Sequence, residues 1–392
     1  PHTEERVKRE SFPPRKTKVI CTIGPASQAP ETLQAMIGNG MDVARLNLSH
    51  GSLESHAQVV CNIRMAASDL GQRVEFWGDL PGCKMRIGRL TSEPVRLVSG
   101  QPFILRTNEC LGDATCASVS YHGLADMVQP GVDVYLSDGV VHLSVDRVEG
   151  TQVFCRVLVG GLLHSNDGIN LPCMDLGLGT LDGQDQICLA FAAEKKLDAI
   201  SPSFIRDAAD IDVVRQAAAE LSYSPLVLAK IERTQAVRNF DALLESADAI
   251  VIARGDLGVE TPLEEIALLQ KQLIRRSNLA GKPVITATHL LQSMVNTRFP
   301  TRAEVADVTN AILDGSDCLS LCAETAIGNY PAEAVAVLTC IARATERHIA
   351  GRGLKQVLEV PGNDEGLGSA TRQGGRDSIF GQEPGLNPDR QV

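Results

Sequence analysis

Residues 226–258 read LVLAKIERTQAVRNFDALLESADAIVIARGDLG, two short apolar runs separated by a polar, helix-prone spacer. Each run ends in charge, the first in Lys230 and Glu232, the second in Arg254 and Asp256. An apolar run bounded by turn signals fits a strand buried on both faces, as in a parallel sheet wrapped by helices. Charges at the carboxyl end of such a strand belong in a polar cleft, because burying them unpaired is very costly. The stretch therefore reads as two neighbouring strands that deliver two cations and two carboxylates to one site.

The same alternation extends in both directions. Upstream, TKVICTIG (17–24), DVARLNLSHG (42–51) and VEFWGDLPG (74–82) read as strands separated by helices, the first helix opening at Pro30. From Lys84 to about Pro172 the period shortens to alternating runs such as PFILRT, VVHLSVDRVEG and TQVFCRVLVGG, which predict a small all-β insert. The strand–helix rhythm resumes at Asp182 with strands DAISPSFI (198–205), LVLAKI, AIVIARGD, PVITATHL (283–290) and CLSLCAET (318–325). A Thr301–Glu304 capping box opens the helix before the last of these.

Eight strand–helix units predict an α/β fold, a (β/α)8 TIM barrel with an all-β lid inserted after the third strand. The expected division is 1–80 for the first part of the barrel, 81–174 for the lid, 175–352 for the rest of the barrel, and 353–392 for a polar, disordered tail. The active site of such a barrel lies at the carboxyl ends of its strands. Charged or polar residues stand there on nearly every strand, from Arg45, Asn47, Ser49 and Asp79 to Thr288 and Cys322.

Composition excludes several classes. The chain has 392 residues, 44% hydrophobic and 22% charged, with a net charge of −11. That acidic balance argues against broad nucleic-acid or anionic-membrane binding. No apolar run reaches the length of a membrane span, and the polar start has no signal-peptide core, so a cytoplasmic location is expected. The 11 cysteines are odd in number. Cys21, Cys61, Cys155, Cys188 and Cys340 lie in apolar runs and read as small buried thiols. Cys318 and Cys322 lack the spacing of a zinc site.

Glu232 and Asp256 on adjacent strand ends are the hard-oxygen donors that magnesium or manganese prefers. Lys230 beside them fits the electrostatic clamp of phosphoryl transfer, the bland alternative being a structural Lys230–Glu232 ion pair. Arg45 could grip further phosphate oxygens in a fork. Gly255 and Leu257-Gly258 should leave free amides for an anion. His50 reads as an orienting residue.

With these residues in place the chain resembles the pyruvate kinase family over about residues 16–350. The matching motifs include KVICTIGPAS, VARLNLSHG, GDLPGCKMRIG, DGINLP, AKIE, ARGDLGVE, GKPVITAT and PTRAEVADVTNAILDG. The resemblance implies transfer of phosphate from phosphoenolpyruvate to ADP, giving pyruvate and ATP at the last step of glycolysis, with Mg2+ or Mn2+ and usually K+. It implies that Lys230 stabilises the transferring group, that Glu232 and Asp256 bind the divalent cation, and that Arg45 binds the phosphate. Thr288, Gly255 and Asp256 would hold the carboxylate and enolate side, with Cys322 at the family's proton-relay serine. Asn47, Ser49, Asp79 and Leu80 match potassium-site positions, and Asn47, His50 and Arg86 lie on the nucleotide side. A homodimer through the barrel is expected, rather than a tetramer.

The departures from the family pattern carry expectations of their own. Lys84 stands where potassium-dependent members have Glu, so its ammonium is expected to replace K+. Asn166 and Asp167 replace basic residues and should weaken nucleotide binding. Cys322 and Ala323 replace Ser and Gly, and His289 replaces Gln. Only a polar tail follows Gly351, where the family has a further domain carrying its effector site, so effector regulation by sugar phosphates is expected to be absent. Two other readings remain: a metal-dependent lyase acting on pyruvate or phosphoenolpyruvate, and a non-catalytic homologue that binds phosphoenolpyruvate.

Overall fold

A computed structural model describes residues 15–351 apart from 83, 138, 173 and 175–178. The predicted tail from 353 lies outside the described residues. Eight parallel strands close into a barrel: Lys18–Thr22, Val43–Asn47, Glu75–Asp79, Ala199–Ser201, Leu226–Ile231, Ala249–Ala253, Val284–Ala287 and Cys318–Leu321. Each pairs in register with the next, and the last closes on the first through Lys18–Cys318 to Cys21–Leu321.

The pleat explains the polarity of the interior. Successive residues of a strand face opposite sides. Ile20, Val43, Trp77, Ala199, Leu228, Val251 and Ile285 face inward and form the buried barrel core. One pleat repeat further toward the carboxyl end, the same parity brings in Thr22, Arg45, Asp79, Ser201 and Lys230. The other face of each strand packs on the helices in a larger apolar cluster that includes Leu46, Phe76, Ile200, Ile231 and Ile252. The barrel therefore has an apolar lower interior beneath a polar mouth.

Local signals fix the helices. Ser52, Asp182 and Thr301 each close a capping box with the residue three positions on. The insert is a six-stranded sheet and a two-stranded one around its own core, which includes Phe103, Leu105, Leu136, Leu143 and Val153. It also holds one short helix, Leu124–Met127, which the alternating pattern did not announce.

Several strands end earlier than predicted. The sixth stops at Ala253, and residues Arg254–Glu260 form a helical turn. The seventh stops at Ala287 because Thr288 and His289 take left-handed backbone angles, φ 69° and 53°. The spacer after the fifth strand is two helices, Thr234–Arg238 and Phe240–Ser246. The thiol reading also needs correction. Cys21, Cys155 and Cys188 are buried, but Cys61 and Cys340 are exposed, because they lie on the outward faces of amphipathic helices. Among the described residues no helix is long and apolar enough to cross a membrane.

Candidate active site

The polar mouth is one connected network. Lys230 Nζ meets three acceptors: Glu232 Oε1 at 2.7 Å, Ser203 Oγ at 2.8 Å and Asp79 Oδ1 at 3.1 Å. Three acceptors match the three donors of an ammonium. Burial alone would lower the Lys230 pKa, but Asp79 and Glu232 hold it above its ordinary value. Asp79 is equally committed. Its Oδ1 also accepts from Ser201 Oγ at 2.7 Å, while Oδ2 accepts from both Nε and Nη2 of Arg45. Burial would raise the Asp79 carboxyl, yet Lys230 and Arg45 keep it below the usual carboxylate range. Trp77 Nε1 donates to Ser201 Oγ at 2.8 Å, which ties the network to the apolar layer below.

Arg45 reaches across the mouth. Its Nη1 donates to Thr22 Oγ1 at 2.7 Å and lies 3.8 Å from Cys322 Sγ. Burial pushes the Cys322 thiol up, against the pull of Arg45, so it is a neutral S–H at pH 7. Glu324, fully buried, anchors this corner by accepting from the amides of Cys322 and Leu291 at 2.8 and 3.0 Å.

The two metal-ligand candidates sit in contrasting surroundings. Glu232 is buried and accepts from the Phe204 amide at 2.7 Å. Burial raises its pKa, Lys230 opposes the rise and the Asp256 charge adds to it. Asp256 Oδ1 pairs with Lys84 Nζ at 2.8 Å. Burial would raise Asp256, but Lys84 holds it below its ordinary value. Asn170 also hydrogen-bonds Asp256, and its own buried Oδ1 has no partner among the described residues. Two repelling carboxylates beside an unsatisfied amide oxygen form a hard-oxygen set that fits a divalent cation.

The potassium-site candidates do not fit a cation in the same way. Both Asp79 oxygens are taken by Lys230, Ser201 and Arg45. Asn47 Oδ1 accepts the Ser49 amide at 3.2 Å, and the Leu80 carbonyl accepts Ser203 Oγ at 2.8 Å. The Lys84 ammonium lies on Asp256, while Lys230 and Arg45 are the cations on Asp79.

Two further expectations change. Arg254 does not enter the cluster. It pairs with Asp307 at 2.8 Å and donates to Gln270 and to the carbonyls of Thr288 and His289. The reason is the helical turn: two residues span about 200° around a helix, so Arg254 and Asp256 leave on opposite sides. The Gly255 amide is not free either, since it donates to Thr288 Oγ1 at 2.8 Å. Thr288 Oγ1 in turn donates to the Ala287 carbonyl at 2.6 Å.

On the lid side, Arg86 Nη1 donates to the Asn166 carbonyl at 3.0 Å. Asp167 caps its own turn, accepting from the His164 amide at 2.8 Å and from Ser137. His50 is exposed at the mouth, and partial burial together with the charges of Arg86 and Arg45 lowers its pKa. A cleft of about 760 Å³ opens beside the cluster, between Tyr135 of the lid and Gly255, Val259 and His289 of the barrel. It includes none of Lys230, Glu232 or Asp256. Sequence reasoning missed Ser201 and Asn170 as participants. The inward parity of Ser201 was the available signal, and Asn170 lies within the DGINLP motif.

Comparison with known proteins agrees with this geometry. Residues 14–335 match the family model described as pyruvate kinase, barrel domain. A pyruvate kinase of Thermococcus litoralis is 48% identical over 337 residues, covering 86% of this chain and 71% of that protein. Pyruvate kinase 2 of Synechocystis is 43% identical over 85% of this chain, which spans only 57% of its length. The crystal structure of a pyruvate kinase from Cryptosporidium parvum superposes with a TM-score of 0.79 at 39% identity, covering 85% of this chain and 70% of that one. A family match over most of the chain, on a closed barrel with its polar mouth beneath a β lid, places the chain in the pyruvate kinase family.

Proposed function

We propose that this chain transfers a phosphoryl group from phosphoenolpyruvate to ADP, giving pyruvate and ATP. The observation that carries the reading is the single network joining Arg45, Asp79, Lys230 and Glu232 at the barrel mouth. Arg45 and Lys230 flank opposite oxygens of Asp79. A phosphate dianion bound above that carboxylate would face one cation on each side. Its oxygens would displace part of the Lys230 shell, the neutral Ser203 hydroxyl being easier to displace than either carboxylate. The charge on Lys230 is fixed before substrate arrives, which is the preorganisation that phosphoryl transfer needs.

Glu232 and Asp256 would hold Mg2+ or Mn2+, whose role when bound is to neutralise charge on the phosphoryl oxygens. Thr288, locked between the Gly255 amide and the Ala287 carbonyl, would face the organic acid. The Cys322 thiol and the Thr288 hydroxyl would both stand on the side where the enolate takes its proton. Asn47, His50 and Arg86 would contact the nucleotide between barrel and lid. We assign no potassium, since the Asp79 oxygens are already committed to cations and a hydroxyl of the protein itself. Leu263, Leu268 and Phe299 are largely exposed apolar side chains of the barrel, the class of surface that a second copy would cover in a homodimer.

One observation favours a second reading, a non-catalytic phosphoenolpyruvate binder: Lys230 and Asp256 are both engaged by internal ion pairs. Purified protein with phosphoenolpyruvate, magnesium and ADP decides between them when pyruvate and ATP are followed together. Equal formation of both products supports the transfer. Binding without turnover supports the second reading, and pyruvate without ATP would indicate a lyase-like or phosphatase-like reaction.

A further inference from the structure

Lys84 follows the third barrel strand where the chain passes into the lid, and three separate features hold its side chain in one place. The first is Gly168, near the end of the lid. A Cβ there would stand 2.4 Å from Lys84 Cε and 3.0 Å from its Nζ, so a side chain at 168 would push the end of the lysine aside. The second is the Phe204 ring, whose centroid lies 5.4 Å from the ammonium. Phe204 itself has a left-handed φ of 59° and gives its amide to Glu232. The third is Asp256, 2.8 Å away. The Lys84 side chain is 13% exposed and that of Asp256 is 24% exposed, so water screens the pair only in part.

We propose that Lys84 is a built-in competitor of the divalent cation: its ammonium neutralises Asp256 and must leave that carboxylate, or share it, before a metal ion can use it. The proposal rests on the reading of Glu232 and Asp256 as the cation ligands. It gives the Gly168 gap a purpose, since the gap admits the lysine stem. It also makes cation affinity depend on the lid junction, because Lys84 and Gly168 lie on the lid side and Asp256 on the barrel. A cation arriving at the two carboxylates meets Glu232 paired with Lys230 and Asp256 paired with Lys84. Affinity in the free protein is therefore held below what two unpaired carboxylates would give.

The test is a Mn2+ titration without substrate, reading free Mn2+ by electron paramagnetic resonance, on the intact protein and on K84M, K84R, G168A and D256N. The intact protein should bind one Mn2+ that D256N loses. K84M should bind it about tenfold more tightly, the scale set by one partly buried ion pair that no longer has to be broken. K84R, which keeps the charge, should stay near the parent. G168A should shift affinity in the same direction as K84M by pushing the lysine off Asp256, which keeps the test decisive if K84M does not fold. A D256N-sensitive site whose affinity is unchanged or weaker in both K84M and G168A would overturn the role of Lys84 while leaving the metal reading intact. Absence of any D256N-sensitive Mn2+ binding would overturn both.

Discussion

Arg254 grips the Thr288 carbonyl with two donors, Nε at 3.1 Å and Nη2 at 2.6 Å, while the next residue, Gly255, gives its amide to the Thr288 hydroxyl. A left-handed φ at a β-branched residue costs on the order of 1–3 kcal/mol and persists only where its surroundings enforce it. Arg254 provides that enforcement from outside the site, anchored in turn by Asp307. Arg254→Met should therefore destabilise the protein by about 1–2 kcal/mol, since it takes a donor from the part-buried Thr288 carbonyl and the cation from the partly exposed Asp307. It should also lower kcat/KM for phosphoenolpyruvate by more than tenfold through misplacement of Thr288. Asp307→Asn, which spares the grip on Thr288, should show the smaller loss. Urea melts and steady-state kinetics of the two variants check the ranking, and equal losses would contradict it.

Asp79 is the shared counter-ion of Arg45 and Lys230. Removing its charge takes the carboxylate partner from Arg45 and leaves Lys230 with Glu232. Asp79→Asn should cost about 3–5 kcal/mol, the usual penalty for breaking a buried ionic network from one side. Denaturant titration measures it. A loss below 1 kcal/mol would mean that the network is far better solvated than its geometry implies.

Glu75 makes a pH prediction away from the chemistry. Burial, with a smaller push from Asp198, raises its carboxyl from 4.5 to about 7, despite Arg73 at 3.1 Å. A raised carboxyl means that the folded state binds the extra proton. The stability it contributes is complete below pH 4.5 and is lost as pH rises through 7. Glu75→Gln should leave stability unchanged near pH 4 and increase it at pH 8, by on the order of 2–3 kcal/mol. Thermal melts at the two pH values test the sign. Equal effects at both would remove the proton linkage.

The barrel was legible because its evidence is local. Apolar runs of four to six residues, helix caps such as Thr301–Glu304 and the loss of helical period after Lys84 all act within a few residues. Arg45, Asp79, Lys230 and Glu232 were legible too, since each stands at the carboxyl end of an apolar run. What was not legible is where long side chains end. Arg254 turns outward because its segment is a helical turn and because Asp307 waits 53 positions on. Lys84 finds Asp256 across 172 positions, a pairing that no spacing rule carries. The Gly255 amide is engaged because the seventh strand ends in a left-handed turn, which neither Thr288 nor His289 announces by residue type.

The central claim is that the Lys230 ammonium, held between Asp79, Ser203 and Glu232, stabilises the phosphoryl group in transfer. Lys230→Met retains much of the side-chain length and removes the charge. The direct measurement is the rate of ATP formation from phosphoenolpyruvate and ADP by this variant, alongside its Mn2+ binding and its melting temperature. The account predicts a rate at least a thousandfold lower, the scale of a lost charge clamp on a transferring phosphate, in a folded protein that still binds Mn2+. A folded, Mn2+-binding K230M that makes ATP within tenfold of the parent rate would contradict it.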